Sequence, residues 1–268
     1  MRRLLIRHGA IGDFLVSLPA LEFLRSEYTE VWTGENTAPL ARFADKAESL
    51  YSAGLDAFGL PGRPVNPLLV ERLSGFDSIV SWYGTRRPEF RRALAGFPVR
   101  FLDALPDGNN LHATDYYLAQ VGAPPGAVPR LSIQRRDDGF AAIHPFSGSA
   151  KKNWPLERFQ QVAAKLESHL EVRWTAGPEE SLPAAQRFSN LWDLANWLAG
   201  ARLYLGNDSG ISHLAAAAGV PVVVLFGPTD PAVWAPRGRR IVMRSPNSLI
   251  EALDTETVWG VLEDYLRR

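Results

Sequence analysis

Four segments of this 268-residue chain place glycines, carboxylates, hydroxyls and lysines where an apolar run gives way to an amphipathic stretch. The first is Arg7-His8-Gly9-Ala10-Ile11-Gly12-Asp13. Gly9 and Gly12 permit tight turns, and Gly12 lets a ligand come close to the backbone. A helix N-terminus normally attracts anions. A carboxylate at Asp13 opposes a phosphate there and suits another task, taking a proton from a hydroxyl. The same residue also reads as a plain helix cap. Only G-x-x-G is present, so this is not a dinucleotide fingerprint.

The second segment runs from His144 to Pro155, HPFSGSAKKNWP. Ser147, Gly148 and Ser149 offer hydroxyls and open backbone N–H groups, and Lys151 and Lys152 add positive charge. The combination reads as a diphosphate cradle, without the Walker pattern, or as a solvated loop with two surface lysines. The third, Gly177-Pro178-Glu179-Glu180, ends a strand on the edge where open α/β sheets bind ligands. A carboxylate there can take both ribose hydroxyls of a nucleotide, or simply begin a charged helix. The fourth, Gly206-Asn207-Asp208-Ser209-Gly210-Ile211-Ser212-His213, leads from a buried strand into a small-residue helix. Ser209 and Gly210 present N–H groups to a phosphate at a helix N-terminus. Asp208 suits sugar hydroxyls. His213 lies on the first turn, where it faces the same pocket or serves packing alone. A further segment after a strand carries Arg86, Arg87, Arg91, Arg92 and Arg100. It reads as a solvated helix face or as a contact for an anionic acceptor at Arg86 and Arg87.

The elements that must hold these residues alternate. Strands are expected over 3–9, 31–34, 78–84 and 99–103, with a helix over 13–25 that Pro19 should kink or shorten. The stretch 54–67 is rich in Gly and Pro and reads as a loop. A second series begins near Phe140: strands over 140–145, 171–176, 202–206 and 220–226, and helices over 155–169, 192–200 and 213–218. The run VPVVVLF at 220–226 is apolar and β-branched throughout, as in a central parallel strand buried on both faces. Strand and helix alternate in two series, which implies two α/β domains of Rossmann type, 1–130 and 131–268, joined by the Pro/Gly-rich stretch between Gly122 and Gly139. The last helix, over 256–267, can pack on either.

Lys plus Arg and Asp plus Glu both number 29, a balance that argues against a nucleic-acid partner. With no cysteine, thiolate chemistry and Cys-ligated metals are excluded. Arg7 and His8 cut short the first apolar run, and no window approaches the roughly 20 apolar residues of a bilayer span. A cytoplasmic protein is expected, with any membrane contact peripheral, on the inner membrane.

GAIGD near the start, then PFSGSAKKNWP, GPEE and NDSGISHLAAAAGVPVVVLFGPTDP follow in the order found in glycosyltransferase family 9, the lipopolysaccharide heptosyltransferases, which this chain resembles. The resemblance covers the first helix region and nearly all of the second half. It implies a GT-B fold, two Rossmann-like domains facing across a cleft. It also implies an inverting transfer with no metal or other cofactor, from an ADP-heptose donor to an inner-core lipopolysaccharide acceptor. By motif position Asp13 matches the catalytic base, Lys152 the donor-phosphate lysine and Glu180, beside Glu179, the ribose-binding acid. Asp208 matches the acid near the donor sugar, with Ser209 and Gly210 as its phosphate-binding amides. The chain departs from the pattern in length: the interval between Glu180 and Asn207 is short, as if a strand–helix segment were trimmed. Two other functions fit the same motifs. One is a catalytically weak nucleotide-sugar-binding relative; the other is a nucleotide-sugar epimerase or phosphorylase on the same scaffold.

Overall fold

The computed structural model describes residues 1–60, 62–64, 66–106 and 110–267. The chain divides into two compact units, Met1–Ala127 and Val128–Arg268.

Unit 1 opens with β1 (Arg2–Arg7) and α1 (Ile11–Phe23). It continues through β2 (Tyr28–Thr33), β3 (Lys46–Ser49), α2 (Pro67–Ser74), β4 (Ser78–Ser81), α3 (Pro88–Ala93), β5 (Val99–Phe101) and α4 (Ala113–Gln120). The strands form one parallel sheet in the order β3-β2-β1-β4-β5. Leu4, Leu5 and Ile6 of the central strand are fully buried, as a strand covered by helices on both faces must be. α1 runs unbroken through Pro19, and every residue from Phe14 to Leu21 is buried. Burial of that face outweighs the backbone bond that the proline forfeits. Within the stretch read as a loop, positions 61 and 65 lie outside the described residues; turns fill the rest until Asn66 caps α2, accepting the Leu68 N–H at 3.0 Å.

Unit 2 contains β6 (Phe140–His144), α5 (Leu156–Leu166), β7 (Glu171–Trp174), α6 (Leu191–Leu198), β8 (Ala201–Asn207), α7 (Gly210–Ala217), β9 (Val222–Phe226), α8 (Pro231–Trp234), β10 (Arg240–Arg244) and α9 (Thr255–Leu266). Its parallel sheet has the order β10-β9-β8-β6-β7. Counted within the unit, the first strand lies between the second and the third, so the strand order reverses between β6 and β8. Open α/β sheets bind ligands outside the carboxyl ends of the strands at such a switch point. β9 is buried throughout, as its composition requires. The apparent trimming has a structural counterpart: among the described residues 175–190 there is neither helix nor strand. Instead the chain folds back on β7, with the Gln186 N–H donating to the Trp174 carbonyl at 2.8 Å and the Ala176 N–H to the Gln186 carbonyl at 3.2 Å. α9, whose expected span reaches 267, packs on unit 2. Its Val258 and Leu262 join Phe159, Val162 and Leu166 of α5 in one apolar cluster. The end of the expected second domain, position 268, lies outside the described residues.

Candidate functional site

In unit 2 the motif residues gather at the switch point. β8 delivers Asn207, fully buried, and Asp208, 6% exposed. Only glycine fits just before them, because a Cβ on Gly206 would lie 2.3 Å from the Tyr204 hydroxyl oxygen. The Asn207 side chain ties the loop after β6 to the end of β8. Its Nδ2 donates to the Pro145 carbonyl at 2.8 Å, and its Oδ1 accepts the Trp154 N–H at 3.1 Å. The Trp154 indole is buried and donates to the Leu253 carbonyl at 2.9 Å. That double anchor presents Lys152, whose Nζ meets Asp208 Oδ2 at 2.7 Å across the switch point. Thr229, in the loop after β9, also donates its hydroxyl to Asp208 Oδ2. Lys151 is exposed and Lys152 half-buried, so the structure separates two lysines that the sequence places side by side.

Ser147 is committed within its loop. Its hydroxyl bridges the Ser149 carbonyl at 2.9 Å and Asn153 Oδ1 at 2.8 Å, and the Ser149 N–H points back at Ser147 Oγ at 3.4 Å. Ser209 caps α7, accepting the Ser212 N–H at 3.4 Å, and Gly210 opens the helix. His213 is buried in its first turn. The two glutamates after β7 part company. Glu179 is exposed, whereas Glu180 turns in and accepts the Gly177 N–H on Oε2 at 2.6 Å. Beside it His144, at the end of β6, is buried and held below the ordinary imidazole pKa. Burial is the chief cause, and the Glu180 carboxylate pulls the other way.

In unit 1, Asp13 is the third residue of α1. Ala10, and not Asp13, is the cap position; Asp13 reaches back, and its Oδ2 accepts the Ala10 N–H at 3.1 Å. No described residue donates to Oδ1. Gly9 makes room for this, since a Cβ there would sit 2.9 Å from Asp13 Cβ. Arg7 is buried and ties the loop to its helix. It donates to the His8 carbonyl at 2.7 Å, the Asp13 carbonyl at 3.1 Å, Ser17 Oγ at 3.1 Å and the Tyr117 hydroxyl at 3.0 Å. Next to the loop is a pocket of about 340 Å³ whose lining includes His8, Gly9, Ala10, Glu35 and Tyr51. His8 Nε2 and the Tyr51 hydroxyl lie 2.9 Å apart.

The arginine segment splits. Arg87 is engaged inside the unit, donating to the Tyr83 hydroxyl at 2.8 Å and the Asp56 carbonyl at 3.4 Å. Arg86 is exposed. A second pocket, of about 290 Å³ at the end of β5, is lined instead by Arg91 and Arg100, with Thr85, Asp103 and Gln120. Sequence reasoning missed three contributors: Asn207 as a clasp, Thr229 as an Asp208 partner, and His144 beside Glu180. All three stood inside quoted motifs, but their partners are distant in the chain. Among the described residues there is no cluster of three His, Asp or Glu suited to a metal and no helix long and apolar enough to cross a membrane.

Residues 125–249 match the family model described as glycosyltransferase family 9 (heptosyltransferase). Lipopolysaccharide heptosyltransferase 1 of Pseudomonas aeruginosa is 34% identical over 142 residues, 47% of this chain and 40% of that protein. The matches span less than half the length of such curated relatives, 39% in the case of an Escherichia coli lipopolysaccharide heptosyltransferase 1. In fold the likeness covers nearly all of both chains. The glycosyltransferase family 9 structure from Veillonella parvula aligns with a TM-score of 0.79 at 19% identity, over 99% of this chain and 97% of that one. The E. coli heptosyltransferase WaaC with ADP-2-deoxy-2-fluoro heptose gives 0.70 at 18% identity, over 99% and 100%. With the GT-B type of fold throughout and the family's sequence pattern over residues 125–249, the chain resembles glycosyltransferase family 9, the heptosyltransferases.

Proposed function

We propose that this protein is an inverting glycosyltransferase that moves a sugar, heptose in the first instance, from an ADP-sugar to a cell-envelope glycan such as the lipopolysaccharide inner core. The observation that carries the proposal is the Lys152–Asp208 pair, 2.7 Å across the switch point of unit 2 and beside the N-terminus of α7. A lysine ammonium has three donors. One is spent on Asp208, which leaves others for a diphosphate, and the Ser209 and Gly210 N–H groups add to its anion field. Glu180 receives the ribose. Asp208 Oδ1 is free to take a sugar hydroxyl, because Lys152 and Thr229 share Oδ2. Ser147 and Ser149 shape the loop that carries Lys152.

Asp13, in unit 1, takes the proton of the acceptor hydroxyl as its oxygen bonds to the anomeric carbon. The bond from that carbon to the diphosphate breaks, and Lys152 stabilises the charge left on the departing nucleoside diphosphate. A single displacement inverts the anomeric centre. Gly12 and the segment of Arg86 and Arg87 belong to the acceptor side, together with Arg91 and Arg100. The lysine and the helix terminus supply the positive charge, so the proposal calls for no metal. It places the reaction in the cytoplasm, with peripheral contact at the inner membrane where the acceptor requires it.

The experiment is a panel of ADP-, UDP- and GDP-sugars tested with and without a deacylated lipopolysaccharide-core acceptor. Transfer from an ADP-sugar only in the presence of acceptor supports the proposal. Conversion of the donor sugar without acceptor would favour an epimerase, and binding without turnover a nucleotide-sugar-binding relative.

A further inference from the structure

His144 is buried at the end of β6, and its Nδ1 lies 3.0 Å from the Thr175 carbonyl oxygen. A carbonyl only accepts, so Nδ1 carries the hydrogen and the neutral ring turns a lone pair outward on Nε2. What that lone pair faces is a second acceptor: Glu180 Oε2, 3.8 Å away. Oε2 is fixed in place by the Gly177 N–H at 2.6 Å. The Phe146 ring stands edge-on to the imidazole with centroids 6.1 Å apart, which limits its rotation. Two rigid acceptors set face to face repel unless donors enter between them. Burial disfavours the alternative, an imidazolium at neutral pH.

We propose that His144 and Glu180 form one paired acceptor for the vicinal hydroxyls of the nucleotide's ribose, one hydroxyl donating to the Glu180 carboxylate and its neighbour to His144 Nε2. This rests on the reading of unit 2 as the nucleotide site and adds to it a second ribose contact. A single carboxylate could hold both hydroxyls of one diol. The paired arrangement instead gives each hydroxyl its own acceptor at an ordinary O–H···O or O–H···N length of about 2.7–2.9 Å. Each hydroxyl is thereby read separately, and a nucleotide lacking one of them leaves a particular acceptor unpaired.

The test is calorimetric titration of ADP, 2′-deoxy-ADP and 3′-deoxy-ADP into the unmutated chain, His144→Asn and Glu180→Gln. Asn keeps a donor for the Thr175 carbonyl and removes the acceptor at the Nε2 position. We expect His144→Asn to weaken ADP about 3- to 10-fold, the scale of one neutral hydrogen bond. It should leave unchanged the affinity for the one deoxynucleotide that lacks its hydroxyl, while Glu180→Gln behaves the same way toward the other. His144→Gln, whose amide oxygen reaches the Nε2 position, should recover most of the ADP affinity. Equal weakening of all three nucleotides by His144→Asn, or no weakening of ADP, overturns the paired acceptor and leaves the nucleotide site standing. Failure of the unmutated chain to bind ADP overturns both. If His144→Asn does not fold, ¹⁵N-histidine spectra of the unmutated chain decide. The Nε2 resonance should shift with ADP and with one deoxynucleotide but not with the other; a resonance that ADP leaves in place refutes the contact.

Discussion

Replacing Lys152 by Ala should separate its two roles. In the free protein its ammonium neutralises Asp208 at 2.7 Å, with the side chains 28% and 7% exposed. Breaking a fully buried ion pair by deleting one partner costs about 3–5 kcal/mol, because the survivor stays charged and desolvated. Here water reaches the lysine side of the pair and Thr229 still donates to Asp208, so we expect about 1–3 kcal/mol. That is a fall of several degrees in Tm for a chain of this size. Binding adds a second loss. A charge-assisted bond to a diphosphate contributes about 1.5–3 kcal/mol, so ADP should bind about 10- to 150-fold more weakly. The two effects come apart in Lys152→Ala/Asp208→Asn. Removing the stranded carboxylate charge should restore most of the Tm while the ADP affinity stays low. Lys151, exposed on the same loop, should change stability by less than about 0.5 kcal/mol when truncated and ADP binding very little. Thermal unfolding and calorimetric titration of the four proteins test this. Equal effects of Lys151→Ala and Lys152→Ala, or normal ADP affinity without Lys152, would refute the assignment and return the loop to a diffuse basic surface.

Gly206→Ala should destabilise unit 2 by about 1–3 kcal/mol, since its Cβ would fall 2.3 Å from the Tyr204 hydroxyl; Tyr204→Phe in the same chain should recover part of the loss in a thermal melt. His144 gives a pH signature. Its pKa is depressed by burial in the folded protein below the ordinary imidazole value of about 6.5, so below that pH the unfolded chain binds the extra proton first. Its contribution is fully present above that pH and is lost as pH falls toward the folded value; chemical denaturation across pH 5–8 should show His144→Asn flattening that slope. Transfer activity should survive a chelator such as EDTA, and a loss restored by added divalent cation would overturn the metal-free part of the proposal.

Much of the fold was legible because its signals are local. Short apolar runs such as LLI and VVVLF, bounded by turn residues, read as buried strands, and glycines mark where strands hand over to helices. β3 was not legible: Lys-Ala-Glu-Ser has no apolar pattern, and it is a strand because its backbone pairs with β2. There Lys46 reaches Glu30, buried on β2, at 3.1 Å. β10 (RIVMR), an edge strand beside β9, escaped although Ile241, Val242 and Met243 are apolar, and α8 is too short at four residues to show a helical period. At the candidate site, the family resemblance singled out Lys152, Glu180 and Asp208, where residue types alone left Lys151 beside Lys152 and Glu179 beside Glu180. The clasp through Asn207 could not be read, because both of its partners, the Pro145 carbonyl and the Trp154 N–H, are backbone groups brought together by folding. The arginine segment shows the limit of composition: a cluster in sequence became Arg87 bonded internally, Arg91 and Arg100 lining one pocket, and Arg86 exposed.

A single substitution bears on whether this chain transfers sugar with a carboxylate base in its first unit. Asp13→Asn keeps an oxygen for the Ala10 N–H and so preserves the start of α1, while removing the proton acceptor. Steady-state transfer from ADP-heptose to a lipopolysaccharide-core acceptor, with ADP affinity measured on the same samples, should show turnover reduced about 10²-fold or more and nucleotide binding unchanged. Near-normal turnover in Asp13→Asn would contradict that role and leave Asp13 as a helix-capping residue.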